Sequence, residues 1–108
     1  MNTASPPSLL TQVLALARQG GPAQAPAAWQ QAHHLVQQDT TPLGAWLHGV
    51  LHLLEGDLED AEYWYGQGDR AFRQRGTVVQ ELDALSRALA ETPTAHDRPV
   101  PPDPRTPP

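Results

Sequence analysis

The sequence predicts an all-α domain of about five helices that pack as antiparallel hairpins. Apolar side chains recur at helical spacing along most of the chain, and residues that start or stop helices stand between these stretches. Seven of the final 17 residues are proline, which cannot donate a backbone hydrogen bond. We therefore expect a flexible N-terminus over residues 1–7, a helical domain over 8–91 and a disordered Pro-rich tail over 92–108.

The first two helices are marked by their start signals. Ser5 or Ser8 is placed to cap the first helix, which stops at Gly20. Pro26 fits the first position of the second helix, where a missing N–H costs nothing, and this helix runs to Asp39. The predicted inward faces consist of Leu9, Leu10, Val13, Leu14 and Leu16, then Trp29, Ala32, His33 and Val36.

A tight turn joins the third and fourth helices. Thr41 followed by Pro42 repeats the start signal, and Gly56 ends the third helix in a left-handed conformation. Asp57 then caps the fourth helix, whose two late glycines either let a neighbouring helix approach closely or make the helix fray early. The predicted inward faces consist of Leu43, Trp46, Leu47, Val50, Leu51 and Leu54, then Leu58, Ala61, Tyr65, Gly68 and Phe72.

The fifth helix begins at a capping box. Thr77 and Gln80 stand three residues apart, so that each side chain can bond the backbone amide of the other. This helix is expected to end near Glu91 and to pack over the last of the helical hairpins. Its apolar stripe consists of Val78, Leu82, Leu85 and Leu89.

The composition excludes several classes of function. The chain carries 12 acidic and 7 basic residues, every basic residue is arginine, and no basic face is apparent, so we expect no nucleic-acid partner. The short run of Arg70, Arg73 and Arg75 is expected to be a solvated helix end. Because cysteine is absent, a metal would need histidine and carboxylate ligands. No apolar run approaches the roughly 20 residues that span a bilayer, and the N-terminus lacks a basic signal segment, so we expect a cytoplasmic protein without membrane contact.

One hairpin carries the small and aromatic residues of a known repeat. If Gly56 is the turn glycine, then Gly49, Ala61, Tyr65 and Gly68 take the positions of the small residue, the alanine, the bulky aromatic and the second small residue. This stretch resembles one unit of a tetratricopeptide repeat. The resemblance implies a tetratricopeptide-like stack of helical hairpins that binds a protein or peptide partner, with that partner or a homo-oligomer completing the short stack.

A longer stretch, from Trp29 to Tyr65, resembles a group of small uncharacterised bacterial proteins. In that group an Ala-His pair on one helix precedes a motif of the form WxHxxLHRxEGDxxNAxYWY. This chain departs from the motif at Leu53 and Asp60, where the motif has Arg and Asn. The resemblance implies no particular activity. The matching residues are Ala32, His33, Trp46, His48, Leu51, His52, Glu55, Gly56, Asp57, Ala61, Tyr63, Trp64 and Tyr65.

Two histidines and a glutamate share one face of the third helix. His48, His52 and Glu55 are spaced i, i+4 and i+7, which puts them within an arc of about 60°. A helical wheel places this face about 125° from the main apolar stripe, which favours contact with water. The repeat resemblance instead implies that both histidines face neighbouring helices. A central helix with two buried faces would satisfy both patterns.

Three interpretations of these histidines stay open. In the first, neutral imidazoles fill the core and bond to neighbours such as Glu55. In the second, a ligand pocket is formed by His33, His48, His52 and Glu55, with Trp64 as a binding aromatic. In the third, zinc is held with His48, His52 and Glu55 as candidate ligands, because an i, i+4 histidine pair is a recognised zinc geometry.

Gly49 stands where a zinc protease has its general-base glutamate. Because glycine cannot act as a base, we do not expect zinc-protease chemistry here. The serines lack a Gly-containing elbow, so a Ser-His-Asp triad is not expected. We predict a non-enzymatic protein-interaction or scaffolding module, for which an exposed aromatic such as Tyr63 would be an anchor. The alternative is a small metal- or ligand-binding protein, with hydrolysis as its possible chemistry. No cofactor is predicted for the first function, and zinc is the candidate for the second.

Overall fold

The computed structural model describes residues 8–91 and shows them to be all-helical. In this part of the chain, one turn of 3-10 helix separates the fourth and fifth of five α-helices, and there is no strand. None of these helices is both long and apolar enough to cross a membrane. The predictions for residues 1–7 and 92–108 lie outside the described residues. The helices are α1 Leu9–Ala17, α2 Pro26–Val36, α3 Pro42–Glu55, α4 Leu58–Gln67 and α5 Val78–Glu91, with the 3-10 turn at Phe72–Gln74.

The helix boundaries follow the predicted capping signals. The side chains of Ser8, Thr41 and Asp57 each accept a hydrogen bond from the backbone N–H three residues further on. Thr77 and Gln80 exchange such bonds reciprocally, as a capping box does. Proline opens both α2 and α3. The five predicted helices are therefore confirmed, with α1 and α2 each ending slightly earlier than predicted.

The central element of the domain is α3, which packs against the four other α-helices. Residues Gly44 to His52 are all buried. Consecutive helices pair, α1 with α2 and α3 with α4, while α5 lies against α1 and α3. The helical wheel taken alone was wrong about His48 and His52, which are only 4% and 7% exposed, because neighbouring helices cover their face as well. The expected central helix with two buried faces is confirmed.

The α3–α4 contact depends on the small residues that the sequence placed there. A Cβ atom on Gly49 would lie 2.5 Å from Cδ1 of Tyr65 and 3.1 Å from the carbonyl oxygen of Ala61. A Cβ atom on Gly68 would lie 2.8 Å from the carbonyl oxygen of Pro42. Both glycines therefore permit close approach of the helices, and this contact explains Gly68 better than early fraying does.

Two residues assigned to the inward face of α4 lie elsewhere. Leu58 is 54% exposed. On the helical wheel its side chain points about 60° away from that of Ala61, which places Leu58 at the edge of the apolar stripe. Phe72 is not part of α4, which ends at Gln67. Asp69 then takes a positive φ of 60° and reverses the chain, so Phe72 reaches the core from the 3-10 turn.

A buried carboxylate, Glu81, joins α5 to α3 and α4. It accepts hydrogen bonds from the indole N–H of Trp46 at 3.0 Å, the hydroxyl of Tyr65 at 2.6 Å and the backbone N–H of Gly76 at 3.0 Å. Burial raises the pKa of Glu81, but these hydrogen bonds outweigh burial and leave its pKa below the ordinary value. Burial, together with the same carboxylate, raises the pKa of Tyr65. Glu81 is thus held as an ionised acceptor inside the domain.

Arg70 and Arg73 of the short arginine run are exposed, as predicted, and two arginines of the run also stack on aromatic rings. The guanidinium of Arg70 lies 3.7 Å from the centroid of the Trp46 ring, and that of Arg75 lies 4.0 Å from the centroid of the Phe72 ring. Together with Glu81 these two arginines line a cleft of about 290 Å³. Both cations, which lie within the α4–α5 connection, therefore contact aromatic rings.

The turn at Gly56 generates a stability prediction with a matched control. Gly56 has a φ of 82°, as predicted, and a Cβ atom there would meet no atom within 4 Å. Gly66 has equally open space but lies within α4. We expect Gly56→Ala to lower the free energy of unfolding by about 1 kcal/mol through backbone strain, and Gly66→Ala to raise it by about 0.5–1 kcal/mol. Denaturant melts measure both, and equal effects at the two positions would contradict this account.

A candidate metal centre

Three histidines from two helices meet at one place. His33 comes from α2, while His48 and His52 stand one turn apart on α3. Each histidine offers one ring nitrogen as a ligand atom, and these three nitrogens lie within 4.8 Å of one another. The indole N–H of Trp29 donates to the carbonyl oxygen of Leu51 at 2.9 Å, and this buried bond holds α2 against α3 beside the cluster. The structure therefore brings together all three histidines predicted for a site.

The three imidazole rings contact one another directly. The Nε2 atoms of His33 and His48 are 3.1 Å apart and share a hydrogen bond. The rings of His48 and His52 are nearly parallel, with centroids 5.0 Å apart, and the ring of His33 stands almost perpendicular to both. His33 is half-buried, whereas the other two histidines are buried. One side of the cluster thus approaches the protein surface.

The Nδ1 atoms of two histidines have partners outside the cluster. Nδ1 of His52 lies 2.7 Å from a carboxylate oxygen of Glu55, and a carboxylate oxygen of Asp57 is 4.0 Å away. Nδ1 of His33 lies 3.4 Å from the amide nitrogen of Gln37, which follows the end of α2. Glu55, a predicted candidate ligand, therefore reaches the site as a hydrogen-bond partner of His52.

Aromatic rings enclose the cluster from two sides. Trp64 stacks on His48 with centroids 4.0 Å apart, and Trp29 stacks on His33 at 5.1 Å. Tyr63, which is 57% exposed as predicted, packs its ring edge against Trp64. Trp64 was among the predicted site residues. Trp29 was predicted only as a core residue, although its position four residues before His33 could have placed it on the same helix face.

Burial and mutual proximity keep two of the imidazoles neutral. Burial lowers the pKa of His48 to about 4, with a further lowering from the nearby His33 and His52. Burial also lowers the pKa of His33, and the neighbouring His52 lowers it further against an opposing effect of Glu55. Neutral imidazoles retain a nitrogen lone pair at pH 7, which is the state that binds metal ions.

A second set of potential ligands shares His52. Ligand atoms of His52, Asp57 and Asp60 also lie within 4.8 Å of one another. Asp57 is already engaged as the cap of α4, and Asp60 is exposed. The three-histidine set, with two buried members, is therefore the better-formed candidate.

Comparison with known proteins identifies no relative from which a function could be transferred. No protein-family model, curated protein or solved structure matches this chain. The resemblances to a tetratricopeptide unit and to the bacterial motif stay predictions. Function is therefore inferred from the chemistry of the described residues.

The lowered histidine pKa values predict how stability depends on pH in the metal-free protein. An unfolded histidine titrates near its ordinary pKa of 6.5, whereas folded His48 titrates near 4, so the unfolded state takes up protons first as the pH falls. The stabilisation is complete above about pH 6.5 and is lost as the pH drops towards the folded pKa. We expect the free energy of unfolding to be about 1–3 kcal/mol lower at pH 4.5 than at pH 7.

The control for this prediction is the neighbouring exposed histidine. His48→Gln should weaken the pH dependence, whereas His34→Gln should leave it unchanged because His34 is exposed in both states. Urea titrations at several pH values between 4.5 and 7 measure the difference. The same pH dependence in wild type and His48→Gln would show that burial of this imidazole is not its source.

Proposed function

We propose that this protein is a small metal-binding protein that holds a divalent transition-metal ion such as Zn²⁺ with His33, His48 and His52. The observation that carries the proposal is the convergence of three imidazoles, two of them buried on the central helix. Three histidines are a known ligand set for zinc, with a fourth position left for another ligand. Without thiolate, imidazole also suits copper and nickel, so the ligand set alone does not fix the metal.

The distances support this ligand set. In a tetrahedral zinc site with Zn–N bonds of about 2.0–2.1 Å, two ligand nitrogens are about 3.3 Å apart. The Nε2 atoms of His33 and His48, at 3.1 Å, already have nearly this separation. Since all three ligand atoms lie within 4.8 Å of one another, the separation of the third nitrogen from either of the others exceeds the tetrahedral value by about 1.5 Å at most. An excess of this size is within the range of side-chain rotation.

The metal test uses zinc and a matched histidine control. Isothermal titration of chelator-treated protein with Zn²⁺ should show one site per chain. Loss of a residue outside the ligand set typically weakens metal binding by about 10–100-fold. His33→Ala, His48→Ala and His52→Ala should each weaken zinc binding by more than this. His34→Ala, adjacent to His33 but exposed, should bind as wild type does.

Denaturant melts of the same variants separate a binding site from a core. If the histidines only fill the core, each alanine variant loses about 1–3 kcal/mol of stability and the wild type gives no zinc heat. That combination would overturn the proposed function. Zinc binding by the wild type that survives removal of His33 would overturn the proposed ligand set.

The second candidate is a protein-interaction module of the tetratricopeptide-like type in the cytoplasm. Its support is the exposed Tyr63 ring next to Trp64, together with helices that pack as consecutive pairs. A protein or peptide partner, including a second copy of this chain, is the expected ligand of such a surface. The two candidate functions are compatible, because Tyr63 lies on the outside of the aromatic rings that enclose the histidines.

Self-association offers a direct test of the form of the second candidate in which the partner is a second copy of this chain. If a second copy docks at Tyr63, light scattering should show a concentration-dependent mass that Tyr63→Ser reduces to that of the monomer. Val79→Ser is the control, since Val79 is equally exposed but lies on α5. A wild type that is monomeric at all concentrations would exclude the homo-oligomer.

A further inference from the structure

We infer that Glu55 is a positioning residue rather than a metal ligand, and that the three-histidine site keeps its fourth coordination position open for a small exogenous donor. This inference rests on the proposed metal binding. It distinguishes an open site, which can bind and exchange a further ligand, from a closed site in which three histidines and a carboxylate surround the ion.

The first argument is the proton on His52. Nδ1 of His52 lies 2.7 Å from the Glu55 carboxylate, and an ionised carboxylate can only accept a hydrogen bond. Nδ1 must therefore carry the hydrogen. A neutral His52 then has its lone pair on Nε2, and that nitrogen is the one available to a metal. Glu55 thus fixes the tautomer that metal binding requires.

The second argument concerns charge. Glu55 and Asp57 both direct a carboxylate oxygen towards Nδ1 of His52, at 2.7 Å and 4.0 Å. A divalent ion held by three neutral imidazoles keeps its full charge, and nearby carboxylates stabilise it through the polarised ring. Coordination by Glu55 is not needed for that stabilisation, and it would break the existing bond to His52.

The partner of His33 provides a contrast on the other side of the site. The amide nitrogen of Gln37 donates to Nδ1 of His33, which places the hydrogen of His33 on Nε2, facing Nε2 of His48. Metal binding requires His33 to carry this hydrogen on Nδ1 and Gln37 to turn its amide oxygen towards it. The pair Glu55 and Gln37 therefore has opposite effects, since one favours the binding tautomer and the other opposes it.

The ligand class follows from the surroundings of the open position. Glu55 and Asp60 are exposed acidic residues at this end of the cluster, and Asp57 is half-buried, so a negatively charged donor would be repelled. The rings of Trp29 and Trp64 stack on His33 and His48 and give the cluster apolar neighbours. A small uncharged nitrogen or oxygen donor fits these conditions, and free imidazole is a suitable probe.

The test exchanges glutamate and glutamine at the two positions. With Co²⁺ as a spectroscopic probe, Glu55→Gln should weaken binding by about 10–100-fold while the visible spectrum of the saturated protein keeps its shape. Gln37→Glu should strengthen binding, because a carboxylate holds His33 in the binding tautomer. Glu59→Gln, an exposed acidic residue on α4, is the control and should change little. Added imidazole should shift the cobalt spectrum of the wild type.

The opposite results would overturn the inference. If Glu55 is a ligand, Glu55→Gln changes the cobalt spectrum and imidazole leaves the wild-type spectrum unchanged. Nitrogen-15 NMR of the histidine rings gives a readout that needs no metal: His52 should carry its hydrogen on Nδ1 in the wild type and lose that preference in Glu55→Gln. A wild type with the hydrogen on Nε2 overturns the positioning role. A third outcome is that the protein binds neither cobalt nor zinc but shows the expected tautomer of His52. That result overturns the proposed function and the open coordination position, and it leaves only the hydrogen bond from His52 to Glu55.

Discussion

Burial of α3 from all sides is the constraint on which the rest of the domain depends. Because residues Gly44 to His52 are covered by neighbouring helices, every polar side chain on this stretch has to find its partner inside the protein. The partners of Trp46 and His48 come from α5 and α2, so satisfying these two side chains also fixes where those helices pack. His52 instead bonds to Glu55 at the end of α3 itself. No buried side-chain nitrogen or oxygen in the described residues lacks a partner. The bonds of this helix run from Trp46 to Glu81, from His48 to His33 and from His52 to Glu55.

The same constraint has two chemically different solutions in this domain. Glu81 accepts from three fixed donors, including Trp46 and Tyr65, so its carboxylate is fully engaged and its removal would leave those donors unpaired. His33 and His48 instead bond to each other through one shared hydrogen. Each of these Nε2 atoms can instead bind a metal ion when its ring carries the hydrogen on Nδ1. The glutamate network is therefore suited to structure, whereas the histidine cluster can exchange its internal bond for a ligand.

Local features of the fold were predictable from the sequence, and long-range polar contacts were not. Capping residues such as Thr41 act within one turn, so their spacing alone located the helices. The left-handed Gly56 followed from the same kind of local chemistry. The sequence did not predict the role of Glu81, which lies on the apolar stripe between Val78 and Leu85, because its two side-chain donors are 16 and 35 residues away. At the site, the sequence grouped the histidines correctly, but the tautomer-fixing role of Glu55 needs the distance between its carboxylate and the ring.

The aromatic rings link the two candidate functions physically. Tyr63 contacts Trp64, Trp64 stacks on His48, and His48 bonds His33, so a continuous series of rings runs from the surface to the histidine cluster. A partner that covers Tyr63 would restrict Trp64, and Trp64 in turn restricts the ring of His48. When one ligand already restricts a side chain that a second ligand needs, the second ligand loses less conformational entropy on binding. The coupling between the two binding events is reciprocal. If the chain binds both a metal ion and a partner as proposed, the two affinities therefore rise together, since both depend on the orientation of the rings of Trp64 and His48.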